Sequence, residues 1–288
     1  MSGDKNTPGN TMQADAADRQ SARFSFTDGD VIVFRSADGT LFNVHRRNLQ
    51  STTDGPLAED FPATPGDIVQ PIEDASTLET LFAFVYPGVY PSLKDMPVED
   101  FVKVADAAEK YRVAPAVAVC GLIIENREIY REYPLLVIAY ADRHGHWELL
   151  DRAAVCSLDC AVVEARKALS IASFAAWMEY RDAHLSALRD ECDGLRFRTS
   201  HRLRSLPAGS ECLSWANIVL AVEKRLSEEG KRMLLDPDSL FDGLSGCTTW
   251  IQGRTSMGCT PQLEEWKTVF EKKLAALPPL SKLISGRV

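Results

Sequence analysis

The stretch 31-VIVFRSADGTLFNVH-45 gives the strongest structural prediction in the first half of this chain. Val31-Ile32-Val33-Phe34 and Leu41-Phe42-Asn43-Val44-His45 are rich in β-branched and aromatic residues, which is typical of strands. Between them lies Asp38-Gly39, where glycine supplies the positive φ that a tight turn needs. The stretch therefore predicts an antiparallel hairpin. We predict a third strand over residues 68–72, and Pro71 places it at an edge of the sheet or at a strand end, because proline has no N–H to donate.

Apolar residues recur at helical spacing in three segments that follow these strands. The first helix is expected after the capping residues 74–77, the second just after Pro97, and the third from Pro115. Strands followed by helices in antiparallel succession are typical of an α+β domain. We therefore expect one such domain with a short sheet flanked by helices over residues 23–126.

Residues 127–288 contain helical patterns without a convincing strand, so we predict an all-α C-terminal domain there. The predicted helices begin at Pro134 and at Trp147 and run over about 170–189, 214–230 and 261–277. At the other end of the chain, residues 1–22 contain almost no large apolar side chains. They cannot bury enough surface to offset chain entropy, and we predict a disordered tail.

Charge is unevenly distributed along the chain. Residues 1–125 contain 10 Lys and Arg against 19 Asp and Glu, whereas residues 126–288 contain 22 of each. Because an acidic surface repels a polyanion, we expect no nucleic-acid partner for the first half. The longest apolar run, residues 114–124, is too short to cross a bilayer, and the N-terminal residues lack the apolar core of a secretory signal. We therefore expect a soluble protein of the cytoplasm, the nucleus or both.

The seven cysteines are an odd number spread over a long chain, which favours reduced thiols. None belongs to a Cys-x-x-Cys pair, so we expect no metal and no other cofactor. The alternative hypothesis is a zinc-stabilised regulatory protein with the metal held by C-terminal Cys and His residues. The ligands available to it are His144, His146, Cys156, Cys160, Cys192, His201, Cys212, Cys247 and Cys259.

Several residues in the first half together resemble the opening and closing segments of a BTB/POZ domain. They are Asp30-Val31, Asp38-Gly39, Phe42-Asn43-Val44-His45, Leu49, Pro71-Ile72-Glu73-Asp74, Leu78, Leu81, Phe82, Tyr86, Val102, Ala105, Ala108, Tyr111, Val113 and Cys120. The resemblance covers residues 24–126. In the second half, the segments Pro134–Leu158, Cys212-Leu213-Ser214-Trp215 and Cys247–Trp266 resemble the helical region and the tail that follow this domain in BTB proteins of basidiomycete fungi. One segment departs from the family: residues 51–56 are a poor helix sequence where better-known members have a Ser-rich helix.

The resemblance implies a protein-interaction module, a scaffold or adaptor without enzymatic activity. It further implies a homodimer that recruits a cullin ubiquitin ligase or a transcriptional complex. From position in the sequence, we expect interaction contacts near Leu57, Phe61 and Tyr90.

Structural roles are expected for the motif residues of the hairpin: Asp30, Asp38, Gly39, His45 and Leu49. We predict that the His45 imidazole hydrogen-bonds backbone at the end of a strand and orders the loop that follows. No Cys or Ser nucleophile has a convincing partner near it, so no catalytic residue is predicted. Asp30 is expected to make local hydrogen bonds where the first strand begins.

Overall fold

The computed structural model describes residues 19–57, 67–197, 213–244, 249–251, 254–256 and 260–286. It has mixed α/β architecture, with a small sheet in the N-terminal part and mostly helices after it. The chain divides into two compact units, residues 1–126 and 127–288.

The first unit contains a four-stranded sheet with the strand order β1-β3-β2-β4. The strands are β1 (Arg19–Ser25), β2 (Val31–Arg35), β3 (Thr40–His45) and β4 (Ile68–Val69). Strands β2 and β3 pair antiparallel, with Val31 opposite His45 and Phe34 opposite Phe42, so the predicted hairpin is confirmed. Gly39 has a φ of 84° in its turn. Strand β4 pairs in parallel with β2 at the edge of the sheet, one of the two positions predicted for the third strand.

Strand β1 corrects the predicted disordered tail, because residues 19–22 belong to it. Strand β1 pairs in parallel with β3: the Arg19 backbone N–H donates to the carbonyl of Gly39 at 3.2 Å, and the side-chain amide of Gln20 donates to that of Leu41 at 3.1 Å. Phe24 is the large apolar side chain that anchors this strand in the core. Backbone pairing with β3 orders a segment whose own composition predicts no structure. Residues 1–18 lie outside the described residues.

Of the four helices described in the first unit, the first two contact this sheet, and each of the last two packs on the helix before it. They are α1 (Arg46–Thr52), α2 (Ala75–Ala83), α3 (Val98–Lys110) and α4 (Ala114–Asn126). The last three are the three helices predicted, and α1 ends within the stretch that is a poor helix sequence. Asp74 is the N-cap of α2, and its Oδ1 accepts a hydrogen bond from the Thr77 N–H at 2.8 Å. This contact holds the pKa of Asp74 below its usual value.

Aromatic side chains form the core between the sheet and α2. The ring of Phe82 lies 5.1 Å from that of Phe34, 5.6 Å from Phe42 and 6.0 Å from Phe24. All four rings are almost completely buried. The alternation of buried and half-buried residues along β2 and β3 places Phe34 and Phe42 on the same face of the sheet.

Tyr111, at the end of α3, joins several parts of the unit. Its hydroxyl donates to Glu73 at 2.6 Å, and its carbonyl accepts a hydrogen bond from the Thr53 hydroxyl. Burial and the contact with Glu73 raise the pKa of Tyr111 well above its usual value. Gly55 lies against the same carbonyl: a Cβ there would stand 2.6 Å from the oxygen and 2.9 Å from Cβ of Arg112.

The second unit is mostly helical. Its helices are α5 (Ile129–Glu132), α6 (Pro134–His144), α7 (Trp147–Cys156), α8 (Val162–Ala168), α9 (Ile171–Phe197), α10 (Leu213–Glu228), α11 (Pro237–Phe241), α12 (Thr260–Ala276) and α13 (Leu280–Ser285). None of the helices in the described part of the chain is both long and apolar enough to cross a membrane.

The second unit is mostly helical as predicted, but it also contains two short strands that the prediction of an all-α domain did not include. Strands β5 (Thr249–Ile251) and β6 (Arg254–Ser256) pair antiparallel as a short ribbon. They lie in a stretch rich in Gly, Ser and Thr that predicts a loop. Three-residue strands are too short to show the alternation from which a strand is recognised.

Aromatic residues also form the core of the second unit. Trp266 is fully buried, and its ring lies 5.6 Å from that of Trp215 and 4.9 Å from that of Phe241. The carboxylate of Asp151 connects α7 to α13. It accepts hydrogen bonds from the N–H and the hydroxyl of Ser281 at 2.8 and 2.7 Å.

Replacing Gly55 with alanine should destabilise the protein, because the new methyl group would press on the backbone of Tyr111. We expect a loss of about 1–3 kcal/mol in the free energy of unfolding, the usual cost of overpacking. Urea unfolding followed by circular dichroism measures it. Asp54→Ala is the control, since it changes an exposed side chain at the neighbouring position and should alter the stability by no more than about 0.5 kcal/mol. Equal stability of the Gly55→Ala variant and the native chain would show that the close approach is not constraining.

Candidate interaction surface

His45 lies at the end of β3 in an aromatic environment. Its Nδ1 is 2.9 Å from the Tyr86 hydroxyl, which also accepts a hydrogen bond from the His45 backbone N–H at 3.0 Å. The imidazole lies 4.6 Å from the ring of Phe26, and its Nε2 lies 3.8 Å from the exposed carboxylate of Asp28. The partner of the imidazole is thus a tyrosine hydroxyl rather than the backbone that we predicted. These contacts connect the end of β3 to the segment after α2.

Asp30, just before β2, and Asp38, in the turn after it, accept hydrogen bonds from residues distant in the sequence. The backbone carbonyl of Asp30 accepts from the Arg46 N–H at 3.0 Å, and its carboxylate accepts from Arg46 Nε at 2.9 Å. Asp38 accepts from the N–H of Ala75 at 2.8 Å and so connects the hairpin turn to the start of α2. The pKa of Asp38 lies below its usual value, mainly because the Ser36 hydroxyl hydrogen-bonds its carboxylate.

The residues predicted to supply interaction contacts differ in their exposure to solvent. Leu57 is 4% exposed, so the expectation that it supplies a contact surface is wrong. It is buried because the chain after α1 turns into the core, where Leu49 is also completely covered. Phe61 lies outside the described residues. Tyr90 is 43% exposed, with its ring 5.1 Å from that of Phe84.

A larger apolar surface lies on α4, where no charged side chain occurs from Ala114 to Ile124. The helix buries Ala116, Cys120 and Ile124, which form a single stripe at a spacing of four residues. The remaining faces are also apolar, yet they are half-buried or exposed. A helix that is hydrophobic on all sides is ordinarily buried on all sides. Helix α4 departs from this rule.

The exposed side of α4 carries small residues and one large apolar residue. Ala114, Ala118 and Gly121 are exposed, and Leu122 is 63% exposed. We call these four residues the α4 face. Small side chains at this spacing allow another backbone to approach closely, and Leu122 provides apolar area to bury. Leu122 lies in the helix predicted from Pro115, and the apolar spacing of that helix does not indicate that this residue is exposed.

The described thiols have the properties of structural cysteines. Burial raises the pKa of Cys120, on the buried side of α4, to about 12, and that of Cys160 to about 11. Burial also raises the pKa of Cys156. A thiol needs an accessible thiolate to act as a nucleophile or a metal ligand, so burial disfavours both roles at neutral pH.

The alternative zinc hypothesis stays a prediction. In the described ranges, no group of three or more His, Cys, Asp or Glu side chains is arranged to hold a metal ion. His201, Cys212, Cys247 and Cys259 lie outside those ranges, as does the side chain of Cys192.

Comparison with known proteins adds nothing to this geometry. No protein-family model matches the sequence, and no curated protein matches it at a significant level. The function of the α4 face therefore has to be inferred from its own residues.

Replacing His45 with glutamine should weaken folding, because it removes the contacts with Tyr86 and Phe26. One hydrogen bond and one aromatic pair correspond to about 1–2 kcal/mol in the free energy of unfolding. The double variant with Tyr86→Phe should lose less than the sum of the two single changes, as expected for groups in contact. Chemical denaturation measures all three, with Arg47→Gln, an exposed position on α1, as the control. Strict additivity would contradict a shared structural role.

Proposed function

We propose that this chain is a protein-interaction module of the BTB/POZ type, a scaffold or adaptor that forms a homodimer through the α4 face. The observation that carries the proposal is the exposure of an uncharged, wholly apolar stretch of helix on a compact unit. An exposed apolar surface is costly for a free monomer and is typical of a site where another protein binds.

Charge supports a second copy of the chain as the occupant of the α4 face. The first unit has many more acidic than basic residues, so two copies repel each other over most of their surfaces. Residues 114–124 contribute no charge to this repulsion. Two α4 faces can therefore approach each other at the point where the electrostatic penalty is smallest.

The size of α4 sets the expected affinity. A helix of 13 residues is about 20 Å long, and its contact with an equal helix buries only a part of the roughly 800 Å² per partner of a standard interface. Apolar burial contributes about 25 cal/mol per Å², from which the costs of association are subtracted. We therefore expect a dissociation constant in the micromolar range.

The proposed partner classes follow from the BTB/POZ resemblance. We propose that the dimer recruits one of two partners, a cullin ubiquitin ligase or a transcriptional complex. Affinity purification followed by mass spectrometry distinguishes them, because it identifies which of the two assemblies is recovered with the full chain.

Replacing Leu122 with glutamate should dissociate the dimer. A carboxylate buried without a partner costs about 3–5 kcal/mol, so the dissociation constant should rise by at least about 100-fold. Size-exclusion chromatography with light scattering on the full chain at tens of micromolar should give about twice the monomer mass of 31.8 kDa for the native chain and the monomer mass for the variant. Circular dichroism checks that the variant is folded.

The matched control is Val89→Glu, which makes the same change at an apolar residue that is 96% exposed outside α4. It should leave the dimer intact. A native chain that is monomeric at tens of micromolar overturns the homodimer, and a dimer that survives Leu122→Glu but not Val89→Glu shows that the α4 face is the wrong surface.

A further inference from the structure

An open groove of about 390 Å³ lies between α11 and the first half of α12 in the second unit. It is lined by Asp238, Ser239, Phe241, Asp242, Gly243, Leu263, Glu264 and Lys267. This volume is at the lower end of the range for small-ligand sites. It is large enough for one or two side chains of a peptide and too small for a folded domain.

The floor of the groove is apolar and belongs to the core. Phe241 and Leu263 are almost completely buried. The ring of Phe241 meets that of Trp266 edge to face at 4.9 Å and lies 6.2 Å from that of Phe270. Because the floor is held by the packing of the unit, the groove exists before anything binds, which lowers the cost of ordering it.

The rim of the groove is acidic. It has three carboxylates, those of Asp238, Asp242 and Glu264, and one ammonium group, that of Lys267. All three acidic residues are exposed. Lys267 donates a hydrogen bond to Asp238 and lies 4.0 Å from Glu271, so its charge is already compensated. The lining as a whole therefore has an excess of negative charge above an apolar floor.

We propose that this groove binds an arginine side chain of a partner peptide. The aliphatic part of arginine would lie on Phe241 and Leu263, and its guanidinium would bind the carboxylates of Asp242 and Glu264. A planar guanidinium suits this site because it pairs with carboxylates in a fixed geometry and also stacks on aromatic rings. This inference does not rest on the proposed dimer, whose α4 face belongs to the first unit.

The test uses the full chain and a fluorescent, terminally blocked peptide with the sequence Ala-Leu-Arg-Ala. A second peptide has citrulline in place of arginine, which keeps the shape and removes the charge. Fluorescence anisotropy should give a dissociation constant on the order of 100 μM to 1 mM for the arginine peptide. The citrulline peptide should bind at least about fivefold more weakly, since hydrogen bonds to charged groups are roughly twice as strong as neutral ones. Affinity for arginine should fall as salt rises.

Variants of the rim should change the affinity in opposite directions. Asp242→Asn combined with Glu264→Gln should weaken binding of the arginine peptide by about three- to tenfold, from two partly screened ion pairs. Lys267→Met should strengthen it by about two- to threefold, because it removes a like charge and frees Asp238. Glu228→Gln combined with Glu229→Gln, at the end of α10, is the matched control, since it also removes two negative charges, outside the groove, and should change nothing.

Two results would overturn the inference. One is equal affinity of the native chain for the arginine and citrulline peptides. This comparison uses the native chain alone, so it does not depend on whether a variant folds. The other is a loss of affinity with the double control variant Glu228→Gln and Glu229→Gln as large as that with the groove variant, because the attraction would then come from the overall charge. Binding by the native chain that is lost only in the groove variant supports the site whether or not the chain is dimeric.

Discussion

The hydrogen bond between Tyr111 and Glu73 is the constraint on which the first unit depends. Glu73 also accepts from the ammonium of Lys110 at 2.8 Å, and its backbone carbonyl accepts from the N–H of Ala37 in the hairpin turn at 2.9 Å. One residue thus connects the turn of the sheet to the end of α3. Because α4 begins immediately after this junction, its direction is set there, and with it the side that the helix turns to solvent. A buried carboxylate without these donors would be strongly destabilising.

The two candidate surfaces differ in the physical force that each can use. The α4 face offers apolar area without charge, and such a surface gains free energy from the release of water and is little affected by salt. The groove beside α12 combines a small apolar floor with exposed carboxylates, and its electrostatic part weakens as salt rises. A surface of the first kind suits a partner with an equally apolar face, such as a second copy. One of the second kind suits a short basic segment.

The sequence predicted the strands and helices whose own residues show a clear alternation or a clear helical spacing of apolar side chains. The alternation in β2 and β3 with Asp38-Gly39 between them, and the apolar spacing of α2 and α3, are sufficient because each element has its determinants within its own residues. The predictions failed where order comes from a partner. Strand β1 exists because β3 offers it hydrogen bonds, and β5 and β6 order each other.

Composition and periodicity alone determined that this chain has an acidic α+β first half, a mainly helical second half, and an apolar run at residues 114–124. They could not determine which residues are covered, since burial depends on contacts between segments far apart in the chain. Leu57 and Leu122 are both apolar residues in the first half, yet the first lies in the core and the second is exposed. Whether each is buried depends on how distant segments of the chain pack together. The groove between α11 and α12 likewise exists only because these two helices pack next to each other.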